Sequence, residues 1–150
     1  MKFVKNMKIC SKLAGAFILL LMLMLLIGGL AIKQLGGTDE LTEVENLTTA
    51  NVTGAVKTAA GDVAVKAAAT GYSGKDVTVY VAFDGNGAIS GISIDASTQT
   101  TGIGSKVGEE RFASGFMGWN GGKVSAGSPV DSISGATYST NAVYNAVNAA

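Results

Sequence analysis

The chain has 150 residues, 47% of them hydrophobic, with 11 basic and 11 acidic side chains, one cysteine and no histidine. The missing histidine excludes haem attachment through Cys-x-x-Cys-His, histidine zinc sites and a Ser-His-Asp triad, and a lone cysteine excludes an internal disulfide. Four lysines stand in the first twelve residues, leaving seven basic against eleven acidic groups in the remainder, an acidic balance that argues against a nucleic-acid partner.

Lys2, Lys5, Lys8 and Lys12 make residues 1–12 a basic N-terminus, expected in the cytoplasm. Residues 13–32 carry no charge and match the ~20 residues needed to span a bilayer as a helix, so they read as one N-terminal transmembrane anchor. Lys33 is followed by Asp39, Glu40, Glu43 and Glu45, which sets the rest of the chain outside the cytoplasm: a single-pass protein of the cell membrane with its C-terminal domain extracytoplasmic. A cleaved signal peptide is the alternative, with Gly29-Leu30-Ala31 as small residues, but the apolar run exceeds the usual ~7–15 residues. Cys10 precedes the apolar run, where lipoprotein processing has no use for it.

Residues 33–61 read as a stalk, in which Leu41, Val44, Leu47 and Val52 are spaced for a weak amphipathic helix. The sequons at Asn46 and Asn51 are short enough to arise by chance and carry no weight. Residues 62–150 form the one folded domain. Val63, Val65, Ala67 and Ala69 alternate before a Gly71–Gly74 turn, and Val77, Val79, Val81 and Phe83 alternate after it, which predicts a hairpin with one buried face. Asp84-Gly85-Asn86-Gly87 turns the chain into a third strand, Ala88 to Asp95, whose phase slips near Ser90-Gly91 and so predicts a bulge. Val107, Phe112, Phe116 and Met117 could line one face of a helix over 106–117. A Gly-rich loop runs from Gly118 to Pro129, and Ala142, Val143, Ala146, Val147 and Ala150 recur at helical spacing to the end. The fold class is α+β: a small antiparallel sheet flanked by helices, preceded by the transmembrane helix.

Asp131-Ser132-Ile133-Ser134-Gly135-Ala136-Thr137-Tyr138-Ser139-Thr140 opens that last helix. Thr137 falls just before the helix or in its first turn, with Ser139, Thr140 and Asn141 as plausible N-caps, and the free N–H groups of a first turn favour a phosphate. Gly135 and Ala136 leave room beside the Thr137 hydroxyl. Upstream stand Gly71-Tyr72-Ser73-Gly74 and Thr100-Thr101-Gly102-Ile103-Gly104. Together these three stretches resemble the signature motifs of the FMN-binding domain family, of the covalently flavinylated kind found in the FMN-carrying subunits of Rnf-type and sodium-pumping NADH:quinone oxidoreductase complexes. Gln99 departs from the family's usual Glu, and Thr101 from its Pro.

The resemblance implies FMN joined by a phosphoester to Thr137, with Gly135, Ala136, Ser134, Asp131, Thr100, Gly102, Ile103 and Gly104 around the cofactor and Asp131 and Ser134 serving recognition by the attaching enzyme. It implies no metal site and no catalytic residue: the chain would be an electron carrier or a subunit of an oxidoreductase complex. A flavin transferase would mature it and a membrane electron-transfer partner would serve it. Trp119, among glycines, is the first choice for stacking on the flavin ring, with Tyr72, Tyr138 and Tyr144 as further aromatic neighbours. The start of the chain also resembles the first transmembrane segment of bacterial chemoreceptors, which keeps a second reading open: a flavin-based redox sensor coupled to a membrane signalling partner.

Overall fold

In the computed structural model, residues 42–58 and 61–150 are described. The basic N-terminus and the anchor expected at 13–32 lie outside them. No helix among the described residues is long and apolar enough to cross a membrane.

Five antiparallel strands follow one another across a single sheet in the order β1-β2-β3-β4-β5: β1 Thr42–Glu43, β2 Val52–Lys57, β3 Val63–Thr70, β4 Asp76–Phe83 and β5 Ile89–Asp95. The central hairpin is the expected one. β3 and β4 pair without a slip from Val63↔Phe83 to Thr70↔Asp76. Period-2 alternation then puts Val65, Ala67, Ala69, Val77, Val79 and Val81 on one face, where all six are buried. The expected bulge is also present, since β5 pairs Ala82↔Gly91 and then Phe83↔Ile89, leaving Ser90 as the extra residue.

Two expectations change. The segment read as a helical stalk contributes two strands instead, and β2 joins β3 over Val52↔Ala67 to Lys57↔Val63. Ala55 and Val56 bury themselves there; of the expected apolar stripe, Val44 and Leu47 stay exposed, Val52 packs partly buried against the core and Leu41 lies outside the described residues. The sheet therefore has five strands and not three. The helix expected over 106–117 is broken into a 3-10 turn at Gly104–Gly108, a short helix α1 at Glu110–Ala113 and a second 3-10 turn at Ser114–Phe116. The first break falls at Glu109, whose backbone is extended at ψ 144°, and the glycines beside the breaks are closely packed. A Cβ at Gly108 would sit 3.1 Å from the Ile94 carbonyl, and one at Gly115 would sit 2.7 Å from the Val130 side chain, so the chain presses its backbone against neighbours at both points. Phe112 and Phe116 still face inward, edge-to-face at 5.5 Å.

The C-terminal helix α2, Thr137–Ala149, lies across β3 and β4. Its Ala142, Val143, Ala146 and Val147 share one stripe and are buried against the strand valines. A fully buried valine contributes about 1.5–3 kcal/mol, so the Val143 and Val147 contacts suffice to fix the helix on the sheet. That docking decides where the start of α2, and with it Thr137, is held.

Candidate cofactor cleft

The start of α2 is set by Ile133-Ser134-Gly135-Ala136. Gly135 has φ +80°, in the left-handed region that an L side chain resists, and the Ala136 N–H donates to the Ile133 carbonyl at 2.9 Å, closing the turn. Ala136 is the N-cap and no side chain caps the helix. Thr137 is thus the first helical residue, and its side chain is exposed.

Ser139 and Thr140, read from sequence as plausible caps, are instead buried inside the first turn at 1% and 0% exposure, while Asn141 is exposed. Thr140 Oγ1 donates to the Ala136 carbonyl at 2.9 Å and accepts the Ile133 N–H at 3.3 Å. Ser139 Oγ donates to Gln99 Oε1 at 2.8 Å. The consequence is that the first-turn N–H groups, which have no acceptor within a helix, are left uncapped by side chains beside an exposed hydroxyl.

A cleft of about 220 Å³ opens at this point, lined by Tyr72, Thr100, Ile103, Gly104, Gly135, Ala136, Tyr138 and Ser139. All three sequence motifs meet here. Tyr72, Ile103 and Tyr138 expose 53%, 50% and 69% of their surface and form an apolar rim on the cleft. Gly102, at φ +75°, turns the Thr100–Gly104 loop and donates its N–H to Ser105 Oγ at 2.9 Å, which brings Ile103 to the rim.

Of the other residues singled out from sequence, Asp131 and Ser134 are exposed in the approach to α2 and do not line the cleft. Trp119 is not brought there either. Its indole Nε1 donates to the Gly122 carbonyl at 3.1 Å, its ring covers Gly121 so closely that a Cβ there would lie 2.8 Å away, and its backbone pairs with Ile89. It lines a separate, larger and more open depression of about 930 Å³ with Phe83, Val124 and Val147. The glycines around Trp119 therefore serve the packing of its own loop. Tyr144 is 4% exposed and donates to the Val130 carbonyl at 2.7 Å. Burial, and then the charge of Asp131, push its pKa up.

The residue that sequence reasoning set aside is Gln99, noted only as a departure from a Glu. It is 5% exposed, directly behind the cleft. Its Oε1 accepts from the Tyr72 N–H at 3.0 Å and from Ser139, while Nε2 donates to the Lys75 carbonyl at 2.9 Å and to Thr98 Oγ1 at 3.0 Å. Nothing in the local sequence signals this, because its partners lie up to 40 positions away.

A small antiparallel sheet crossed by one C-terminal helix, with an exposed threonine at the uncapped start of that helix and an aromatic-rimmed cleft beside it, defines an α+β domain with a candidate binding cleft. The model of the FMN-binding domain matches residues 71–150, and the chain belongs to that family. No curated protein matches the chain. The residues present fit FMN by their chemistry: the apolar rim suits a flat aromatic ring, and the uncapped turn suits a phosphate. Among the described residues, no group of three or more potential metal ligands is gathered.

Proposed function

We propose that the protein is an electron carrier of the cell membrane, anchored by residues 13–32, with the whole sheet domain from β1 to α2 outside the cytoplasm and FMN held by a phosphoester on Thr137. The observation that carries this reading is the placement of Thr137: an exposed hydroxyl at the first position of α2, flanked in the chain by Ala136 and Tyr138, which both line the cleft. Attachment by a flavin transferase would have the Thr137 oxygen form the new bond to the FMN phosphorus of FAD, release AMP, and give its proton to a base of that enzyme. The uncapped N–H groups of the first turn then favour the phosphate charge by about 0.3–1 kcal/mol.

Bound FMN supplies one- and two-electron transfer. The chain's own residues supply placement. The Tyr72 and Tyr138 rings have centroids 6.1 Å apart and are tilted by 54°. A third ring between them would need about 7 Å, twice the ~3.5 Å carbon contact, and parallel faces. Tyr72 and Tyr138 would therefore support a flavin ring along their edges and not clamp it between them, which would leave it accessible to an electron donor and acceptor. A tether through Thr137 prevents loss of the cofactor outside the cytoplasm. The test is co-expression with a flavin transferase followed by a denaturing gel: in-gel flavin fluorescence is expected for the wild type and absent for Thr137→Val. A dark wild-type band, with the transferase shown active on another substrate, would refute the proposal.

A further inference from the structure

The cleft is assembled from segments far apart in the chain, and one buried side chain touches the support of each wall. Gln99 accepts from Tyr72 on the β3–β4 turn and from Ser139 in α2, is itself the residue before Thr100, and donates to Lys75 and Thr98. Both lone pairs of Oε1 and both protons of Nε2 are used, which is the full capacity of an amide. Its orientation is fixed by partners that cannot change role: the Tyr72 N–H can only donate and the Lys75 carbonyl can only accept. A carboxylate would retain the first pair of bonds and lose the second, because it has no proton to offer Lys75 or Thr98. The surrounding glycines leave no slack. A Cβ on Gly71 would meet Oε1 at 2.7 Å, and a Cβ on Gly104 would meet the Gln99 Cβ at 3.0 Å.

We propose that Gln99 is the positioning residue of the flavin cleft: its neutral amide holds the Tyr72 turn against the start of α2 and so sets the spacing of the Tyr72–Tyr138 shelf on which the ring lies. This rests on the FMN reading above. Gln99 touches no cofactor atom in this account. It acts through Tyr72 and Ser139, and an amide does what a carboxylate at this position could do only in part.

The test uses the whole chain with and without flavin and compares Gln99→Met, Gln99→Glu, Ser139→Ala and Gly71→Ala. In the flavin-free protein, the Tyr72 amide should exchange with solvent at least about tenfold faster in Gln99→Met, while Gln99→Glu, which keeps the acceptor, restores most of the protection. In the flavin-loaded protein, loading per chain should match wild type, but the flavin of Gln99→Met should be brighter and less polarised as contact with the tyrosines loosens. Gly71→Ala should reproduce that optical change without altering Gln99, and Ser139→Ala should give part of it; these two decide the matter if Gln99→Met does not fold. Wild-type amide exchange and wild-type flavin fluorescence in folded variants would overturn the positioning role while leaving the Thr137 tether standing. A wild type that carries no flavin overturns both.

Discussion

Gly104→Ala adds one methyl group at the most crowded point behind the cleft. The new Cβ would lie 2.6 Å from Ser139 Oγ and 3.0 Å from the Gln99 Cβ, both inside the distance at which a neighbour must move. Neither neighbour moves freely. Ser139 sits in the first turn of α2 and Gln99 is held by its four hydrogen bonds. Overpacking of this kind costs about 1–3 kcal/mol. For a domain of about 100 residues, each kilocalorie corresponds to about 4–8 °C in Tm, so the Tm followed by circular dichroism should fall by about 4–24 °C. Ser139→Ala removes the nearer clash, and the double variant should be less destabilised than the sum of the two single changes. Gly54→Ala is the control. No atom lies within 4 Å of its added Cβ, so it should be neutral or gain up to about 1 kcal/mol from a stiffer strand. A Tm for Gly104→Ala equal to or above wild type would refute the packing derived for the cleft.

Tyr144→Phe removes the donor to the Val130 carbonyl and should cost about 0.5–1.5 kcal/mol in denaturant unfolding. Because the folded-state pKa of Tyr144 is raised, its contribution is complete below the ordinary tyrosine pKa and is lost as pH rises through the folded value; the stability gap between wild type and Tyr144→Phe should narrow at alkaline pH, and a widening gap would contradict the sign. Asp131→Ala, a change on an exposed loop, should leave the unfolding free energy within about 0.5 kcal/mol of wild type yet lower flavin loading when the transferase is limiting; equal loading would remove its recognition role. For topology, Ala126 is exposed, so Ala126→Cys in a Cys10→Ser background should react with a membrane-impermeant maleimide in intact cells. Labelling only after lysis would place the domain inside.

Elements whose signal is local were readable from the sequence. The β3–β4 hairpin, the Ser90 bulge and the C-terminal helix each announce themselves through a period of 2 or 3.6 and through the phase slip between them. β2 was hidden because its ladder slips between Val52 and Gly54, which scrambles the alternation, while Leu41, Val44 and Leu47 upstream have the spacing of a helix. The 106–117 segment has helical spacing, but Gly108 and Gly115 are pressed against β5 and Val130, contacts no local pattern can show. The same distinction governs the site. Thr137 and its flanking residues could be named from their motif and the start of a helix. Trp119 was drawn to the site by its glycines, which turn out to pack its own ring. Gln99 was passed over because its meaning lies in bonds spanning 24, 27 and 40 positions. Ser139 and Thr140 were offered as caps because a hydroxyl near a helix start usually is one, but here the helix begins earlier and turns both inward.

The central claim, FMN bonded to Thr137, is tested most directly by fragmenting the flavin-loaded protein in a mass spectrometer after co-expression with a transferase. The peptide spanning Asp131 to Thr140 should carry the mass of FMN less one water, fragment ions should place it on Thr137, and Thr137→Val should fold as wild type, within roughly 1 kcal/mol, and carry none. Flavin mass found on Ser134, Ser139 or Thr140, or retained in Thr137→Val, would contradict it.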